Sequence, residues 1–370
     1  MRVLLADRAL LNGYTLGLAM GLRANGVDAR VGGPAEWGGA RVTPLYPRAD
    51  VSGRRFLKAG DAVAGTARFH RAAIGRPDVL HLQWPTGLDA TYAIAAKRLY
   101  GIPLAYTVHN VGRATDLPRY ESMQGRFIAL ADLVLTHGPD MRQAIVDGYP
   151  RAVDKTHVVE LGNFEHIIDR FPRAEARRRL GVPADGALFA FVGQLRPRKG
   201  VDLLLAAFRE YRRRGGQGHL LISGTCADSG YLSALREMGN QDDAATHWRV
   251  SSGPIEQTIM DLAVSAATQV ILPFHAASQS ASLIMAMSHG RCVVSTMTGE
   301  VERTLGGRGL LIDVGDRDGL CGALDLGERD PSYCDDLGAL ARRHTLTELA
   351  WPRIAARTAA LYDSMSHGAP

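Results

Sequence analysis

Short runs of consecutive apolar residues alternate along this chain with longer segments in which apolar residues return every three or four positions. Unbroken apolar runs mark strands covered on both faces, and three-to-four spacing marks helices with one buried side. In the first half the predicted strands are 2–6, 28–31, 78–83, 103–108, 132–136 and 157–160. In the second half they are 188–192, 219–223, 247–250, 268–272, 292–295 and 309–312. Regular strand–helix alternation predicts an α/β protein built on parallel sheets. A charged helix bracketed by Pro172 and Pro183 separates the two sets and reads as a domain connection, giving two similar doubly wound halves, 1–168 and 169–346. The remainder, 347–370, holds a helix opening on Trp351-Pro352 with apolar residues at helical spacing, and a terminus that looks frayed.

Composition adds limits. With 370 residues, 46% hydrophobic and 22% charged, each half is large enough to bury a full core. Cys226, Cys292, Cys321 and Cys334 form no C-x-x-C pair, which argues against a zinc site or a disulfide framework and fits a reducing cytoplasm. No apolar stretch approaches a signal-peptide core or a membrane span, so a cytoplasmic location is expected. The net charge is +5 and the excess lies in the first half, with 21 Lys+Arg against 16 Asp+Glu in residues 1–170. Arg54, Arg55, Lys58, Arg68, Arg71 and Arg76 form its densest part. That run reads either as a solvated helix face or as a peripheral contact with an anionic membrane or an acidic acceptor. Nucleic acid is not expected as a partner, since no aromatics interleave with the basic run.

Four segments carry candidate chemistry. Gly193-Gln194-Leu195-Arg196-Pro197-Arg198-Lys199-Gly200 follows a strand and precedes a helix, so its cations stand at the carboxyl end of a parallel strand, where doubly wound folds bind ligands. Arg grips two phosphate oxygens and Lys adds a point charge, so the three cations Arg196, Arg198 and Lys199 read as a diphosphate cradle; an ordinary solvated loop is the plainer reading. Asn12-Gly13 after the first strand is not G-x-G-x-x-G, which removes the main support for a dinucleotide cofactor, although its amides suit an anion or sugar hydroxyl as well as a helix entry. His109 ends the strand 103–108, as a structural residue or as a hydrogen-bonding group in the ligand crevice. Ser278, Gln279, Ser280, Ala281 and Ser282 begin an Ala/Met-rich helix, either as caps or as holders of a phosphate or sugar oxygen. No Ser-His-Asp set appears, and Asp242-Asp243 and Asp316-Arg317-Asp318 read as solvated, so no metal is expected.

Taken in order, these segments resemble the retaining GT-B glycosyltransferases of the family 4 type, over most of the chain. Gly193 to Gly200 is similar to that family's Gly-x-Leu…Lys-Gly loop, which implies that Arg196 and Lys199 neutralise a donor diphosphate. His109 resembles the histidine that contacts the donor sugar, and the Trp351-Pro352 helix resembles one that crosses back to the first domain. The implied fold is two Rossmann-like domains facing a central cleft. Met285-Ala286-Met287-Ser288-His289-Gly290 aligns with the end of the family's Glu-x7-Glu segment, placing Ala277 and Met285 where the carboxylates stand. Gln279-Ser280-Ala281-Ser282, Leu80-His81-Leu82-Gln83-Trp84-Pro85 and Thr107-Val108-His109-Asn110 resemble instead a bacterial subgroup with a Gln-Ser-Gly-like turn. The resemblance implies transfer of a hexose-type sugar from a UDP- or GDP-sugar to an acceptor glycan, glycolipid or small molecule, without cofactor or metal. The base would contact the loop Ser251, Ser252, Gly253, Pro254 and Ile255. Because the carboxylate pair is absent, a catalytically inactive nucleotide-sugar-binding protein is an alternative. So is an epimerase or inverting transferase, with His109, Asp7 or Asp116 as base.

Overall fold

A computed structural model describes residues 1–7, 13–34, 42–46, 55–85, 87–111, 118–240 and 245–367. Asn12, Arg54, Asp116, Asp242 and Asp243 lie outside the described residues. The chain forms two compact units, Met1–Gly162 with Leu349–Pro370, and Asn163–Glu348.

In the first unit the strands are β1 (Arg2–Ala6), β2 (Asp28–Pro34), β3 (Val42–Tyr46), β4 (Val79–Leu82), β5 (Leu104–Thr107), β6 (Leu133–Thr136) and β7 (Thr156–Val158). They form one parallel sheet in the order β3-β2-β1-β4-β5-β6-β7. All residues of β4, β5 and β6 are buried, as strands covered by helices on both faces must be. β3 is an addition to the expected set. It carries Pro44, which cannot donate to a ladder, and accordingly lies on the sheet edge.

The second unit contains β8 (Leu188–Gln194), β9 (His219–Thr225), β10 (Thr246–Ser251), β11 (Gln269–Leu272), β12 (Cys292–Thr296) and β13 (Leu310–Ile312). Its parallel order is β10-β9-β8-β11-β12-β13. Each sheet therefore starts in the middle, winds to one edge and resumes beside its first strand. The reversal falls between β1 and β4 in one unit and between β8 and β11 in the other. Loops leaving the carboxyl ends of those strand pairs diverge and open a crevice, the general ligand position of such sheets.

The final helix, Trp351–His367, belongs to the first unit. A side chain added at Gly17, Gly21 or Gly162 would overlap Trp351, so three bare backbones form the slot for this residue. Asn25 Nδ2 donates to the Pro352 carbonyl at 2.8 Å, and Tyr362 further along the helix is fully buried. The four cysteines are buried free thiols. Among the described residues, no helix is long and apolar enough to cross a membrane, and no cluster of three or more His, Cys, Asp or Glu is placed to hold a metal.

Candidate functional site

In the second unit the crevice is built by the loops after β8 and β11. Gly193 ends the apolar core of β8 at φ 137, paired in register with Gly224 on β9. A Cβ on Gly224 would overlap the Gly193 carbonyl, and one on Gly193 would lie 2.8 Å from Ser282 Oγ. Glycine is thus required for the backbone to pass this closely. The chain continues extended through Arg196, tightens into a 3₁₀ turn at Pro197–Lys199, and enters the helix Val201–Arg213 through Gly200 in the left-handed region, φ 68. The Arg198 carbonyl accepts from the backbone amides of His275 at 2.9 Å and Ala276 at 3.4 Å, which ties this turn to the loop after β11.

Lys199 lies over the Phe274 ring, 4.1 Å from ammonium to ring centroid. Burial, with Arg198 and Arg196 beside it, pushes its ammonium down to about 7. Like charges crowded in a partly dry site favour loss of a proton, and an arriving anion would relieve them. Arg196, Lys199, Gly193 and the Ser278–Ser282 turn are therefore gathered at one switch point.

Within that turn the residues divide. Ser280 is the cap of the helix Ala281–His289: its Oγ accepts from Leu283 N at 3.2 Å, and its own N–H donates to Gln279 Oε1 at 2.7 Å. These groups are consumed by local structure. Ala281 and Ser282 open the helix, so their N–H groups lack intrahelical acceptors and project from its positive end. Ser278 Oγ is buried without a hydrogen-bond partner. The loop after β10 leaves Gly253 and Pro254 exposed and Ser251 and Ile255 half-buried; Gly253 N donates to Ser251 Oγ at 3.1 Å, and the Ser251 carbonyl accepts from Cys226 N.

The first unit gathers polar side chains at its own switch point. Gly13, at φ 69, caps the helix Tyr14–Ala24 after β1. Gln83 and Trp84 follow β4, His109 follows β5 and His137 follows β6. His109 is 7% exposed, with Nε2 2.8 Å from Gln83 Oε1 and Nδ1 3.0 Å from His137 Nε2. Both ring nitrogens are thus engaged within the protein, so no free ring nitrogen is left to meet a sugar hydroxyl. Trp84 stacks on the same ring at 4.3 Å and 7°, from a left-handed backbone with φ 40, and its indole N–H is buried without a partner. Tyr14 stands edge-on to His109 and His137 at 4.8 and 5.3 Å. Sequence reasoning omitted Tyr14, His137 and Phe274. The signal for His137 was present, because Leu133-Val134-Leu135-Thr136-His137 repeats the apolar-strand-then-His pattern of His109.

Two parallel-sheet, Rossmann-like units in one chain are the make-up of a GT-B fold. Residues 11–162 match the family described as glycosyl transferase 4-like domain, and 186–325 match glycosyl transferases group 1. The chain carries these two domains and is a glycosyltransferase. It is 26% identical over 306 residues to the D-inositol 3-phosphate glycosyltransferase of Thermobispora bispora, covering 78% of this chain and 71% of that protein. The Frankia alni protein of the same name is 29% identical over 314 residues, covering 78% and 72%. Among solved structures, Anabaena Alr3699/HepE in complex with UDP-glucose superposes with a TM-score of 0.76 at 17% identity, over 98% of this chain and all of that one. Sucrose-phosphate synthase from Thermosynechococcus elongatus gives 0.73 at 20% identity over the whole of both chains.

Proposed function

We propose that this glycosyltransferase moves a hexose-type sugar from a nucleoside-diphosphate donor to an acceptor hydroxyl with retention and without a metal or cofactor. The carrying observation is the turn Gly193–Lys199 drawn against the start of the helix Ala281–His289, with Ser282 Oγ just beyond the space a Gly193 side chain would fill. Arg196 and Lys199 bind the diphosphate there and stabilise the charge that builds as it departs, and the Ala281 and Ser282 amides add a preorganised dipole. The Ser251–Ile255 loop takes the uracil or guanine base. His109 offers the donor sugar its ring in a stack with Trp84 rather than a ring nitrogen. A phosphorylated polyol is the acceptor class that the relatives' names suggest, and a glycan or lipid-linked sugar at an anionic membrane suits the basic segment around Arg68, Arg71 and Arg76.

Transfer assays over a panel of UDP- and GDP-sugars with these acceptors, read by product NMR, test the proposal. A product of retained configuration, formed equally in chelator, is expected. Replacing Arg196 and Lys199 with Ala should lower kcat by about 10² to 10³ each. Tight nucleotide binding with silence across the panel would point instead to an inactive binding protein, and an inverted product would remove retention.

A further inference from the structure

Five side chains of the first unit form one buried line from the C-terminal helix to the Val159 carbonyl, just past β7. Tyr362 Oη lies 2.6 Å from His81 Nδ1, and His81 Nε2 is 2.9 Å from the Gln83 amide nitrogen and 2.7 Å from Thr107 Oγ1. Gln83 Oε1 is 2.8 Å from His109 Nε2, His109 Nδ1 is 3.0 Å from His137 Nε2, and His137 Nδ1 is 3.1 Å from the Val159 carbonyl. His81, Gln83, His109, His137 and Tyr362 are 0 to 7% exposed.

The direction of this line follows from counting protons. The Val159 carbonyl only accepts, so His137 carries its proton on Nδ1 and, when neutral, has a bare Nε2. That bare nitrogen requires His109 to donate from Nδ1, which leaves His109 Nε2 bare in turn. A bare Nε2 cannot face the Gln83 oxygen. Either an extra proton sits on the His109–His137 pair, or the Gln83 amide is turned by 180° so that its NH₂ donates to His109; the two ends of an amide are isosteric, and the turn changes no distance. The turned amide offers its oxygen to His81 Nε2–H, and His81 Nδ1 then accepts from Tyr362. Each ring N–H of the three histidines and the Tyr362 hydroxyl then meets an acceptor in this neutral line. The extra proton is disfavoured, because burial pushes His137 down to about 4, His81 down to about 3 and His109 well below the ordinary histidine range. Charges around the pair do not reverse this: Glu160 favours the proton on His137, whereas His137 and His81 oppose it on His109, and Tyr14 and Trp84 face the rings with aromatic surface.

We propose that Gln83 is a positioning residue that donates its amide N–H to His109 Nε2, fixing His109 as the neutral Nδ1–H tautomer in a hydrogen-bond line running from Tyr362 to the Val159 carbonyl. The line ties the ring on which Trp84 stacks to the C-terminal helix, and it removes Nε2 of His109 as a donor. The proposal rests on the first unit alone, so its test does not depend on the donor assignment. Long-range ¹H–¹⁵N correlation spectra of the full chain near pH 7 should show His109 with Nδ1 protonated and Nε2 bare. Gln83→Glu, whose carboxylate can only accept, should convert His109 to the doubly protonated ring at the same pH. Gln83→Met, which can neither donate nor accept strongly, should lose the hydrogen-bonded Nε2 shift while retaining the Nδ1 proton. A proton on Nε2 of the wild-type ring near pH 7, or a His109 spectrum unmoved by Gln83→Glu, overturns the assignment, and the wild-type measurement decides even where a variant fails to fold.

Discussion

The Lys199 ammonium stands 4.1 Å above the centre of the Phe274 ring, a cation held on an aromatic face beside two further cations, Arg196 and Arg198. Cation–π attraction favours the charge, but burial and the two neighbours outweigh it and bring the group down to about 7. A bound diphosphate would add negative charge beside these cations, so its binding should take up a proton above pH 7. Nucleoside-diphosphate affinity is expected to fall by up to about tenfold per pH unit above that point until the value of the complex is reached. Calorimetry in buffers of different ionisation enthalpy measures the proton directly. Lys199→Arg, which stays charged, should flatten the profile, and a wild-type affinity constant across this range contradicts the assignment. For the unliganded fold the sign is opposite to that of a salt-bridged lysine. The unfolded chain holds more protons between about 7 and 10.5, so this group's contribution to stability rises with pH across that window and is lost below it.

Gly200 tests the backbone of the same turn. Its φ of 68 is strained for any L side chain, and a Cβ would overlap the Pro273 carbonyl oxygen, a backbone atom that cannot step aside cheaply. Gly200→Ala should cost more than about 1 kcal/mol and separate the loops after β8 and β11. The expected result is a lowered Tm of the second unit and a loss of nucleotide binding greater than that of Arg196→Ala. Retention of wild-type affinity would show that the turn is not the anion cradle.

Most of the fold was legible because parallel strands buried on both faces leave unbroken apolar runs, as in Leu188-Phe189-Ala190-Phe191-Val192 and Val270-Ile271-Leu272. Strand β3 escaped because an edge strand can carry Pro44 and polar Thr43, giving no such run. The position of the turn Gly193–Gly200 was legible for a related reason: glycine and cations interrupt the chain between an apolar strand and a segment of helical spacing. The wiring of His109 was not. Its partners Gln83, His81, His137 and Tyr362 come from the ends of β4 and β6 and from the last helix, and only the sheet order brings them into line. Helix-start serines were ambiguous in the sequence because capping and ligand binding use the same residue type, and the structure separates Ser280, which caps, from Ser278, which does not.

Ser278 offers the cleanest separation of binding from stability. Its hydroxyl is buried with no partner, so the unliganded fold gains nothing from it. Ser278→Ala should leave the Tm unchanged or slightly raised. If a donor oxygen completes the hydrogen bond, the same change should weaken donor binding by about 1 kcal/mol, roughly fivefold. Unchanged donor affinity in isothermal titration would assign the hydroxyl no ligand.

Trp351 and Gly322 set opposite expectations for two changes in helices. Trp351 is 5% exposed and fills a slot lined by Gly17, Gly21 and Gly162, so Trp351→Ala removes a large ring that no neighbour can replace. The expected cost is about 3–5 kcal/mol, or a fall of roughly 6–20 °C in the melting of the first unit. Gly17→Ala should be similarly severe because its methyl would overlap the indole, whereas a smaller residue at 351 should rescue it. Gly322 lies inside the helix Arg317–Arg329 with open space where an added methyl would stand, so Gly322→Ala should stabilise the second unit by up to about 1 kcal/mol through helix propensity alone. Differential scanning calorimetry resolves both signs. A Trp351→Ala protein that melts like the wild type would show that the C-terminal helix is not part of the first unit's cooperative fold.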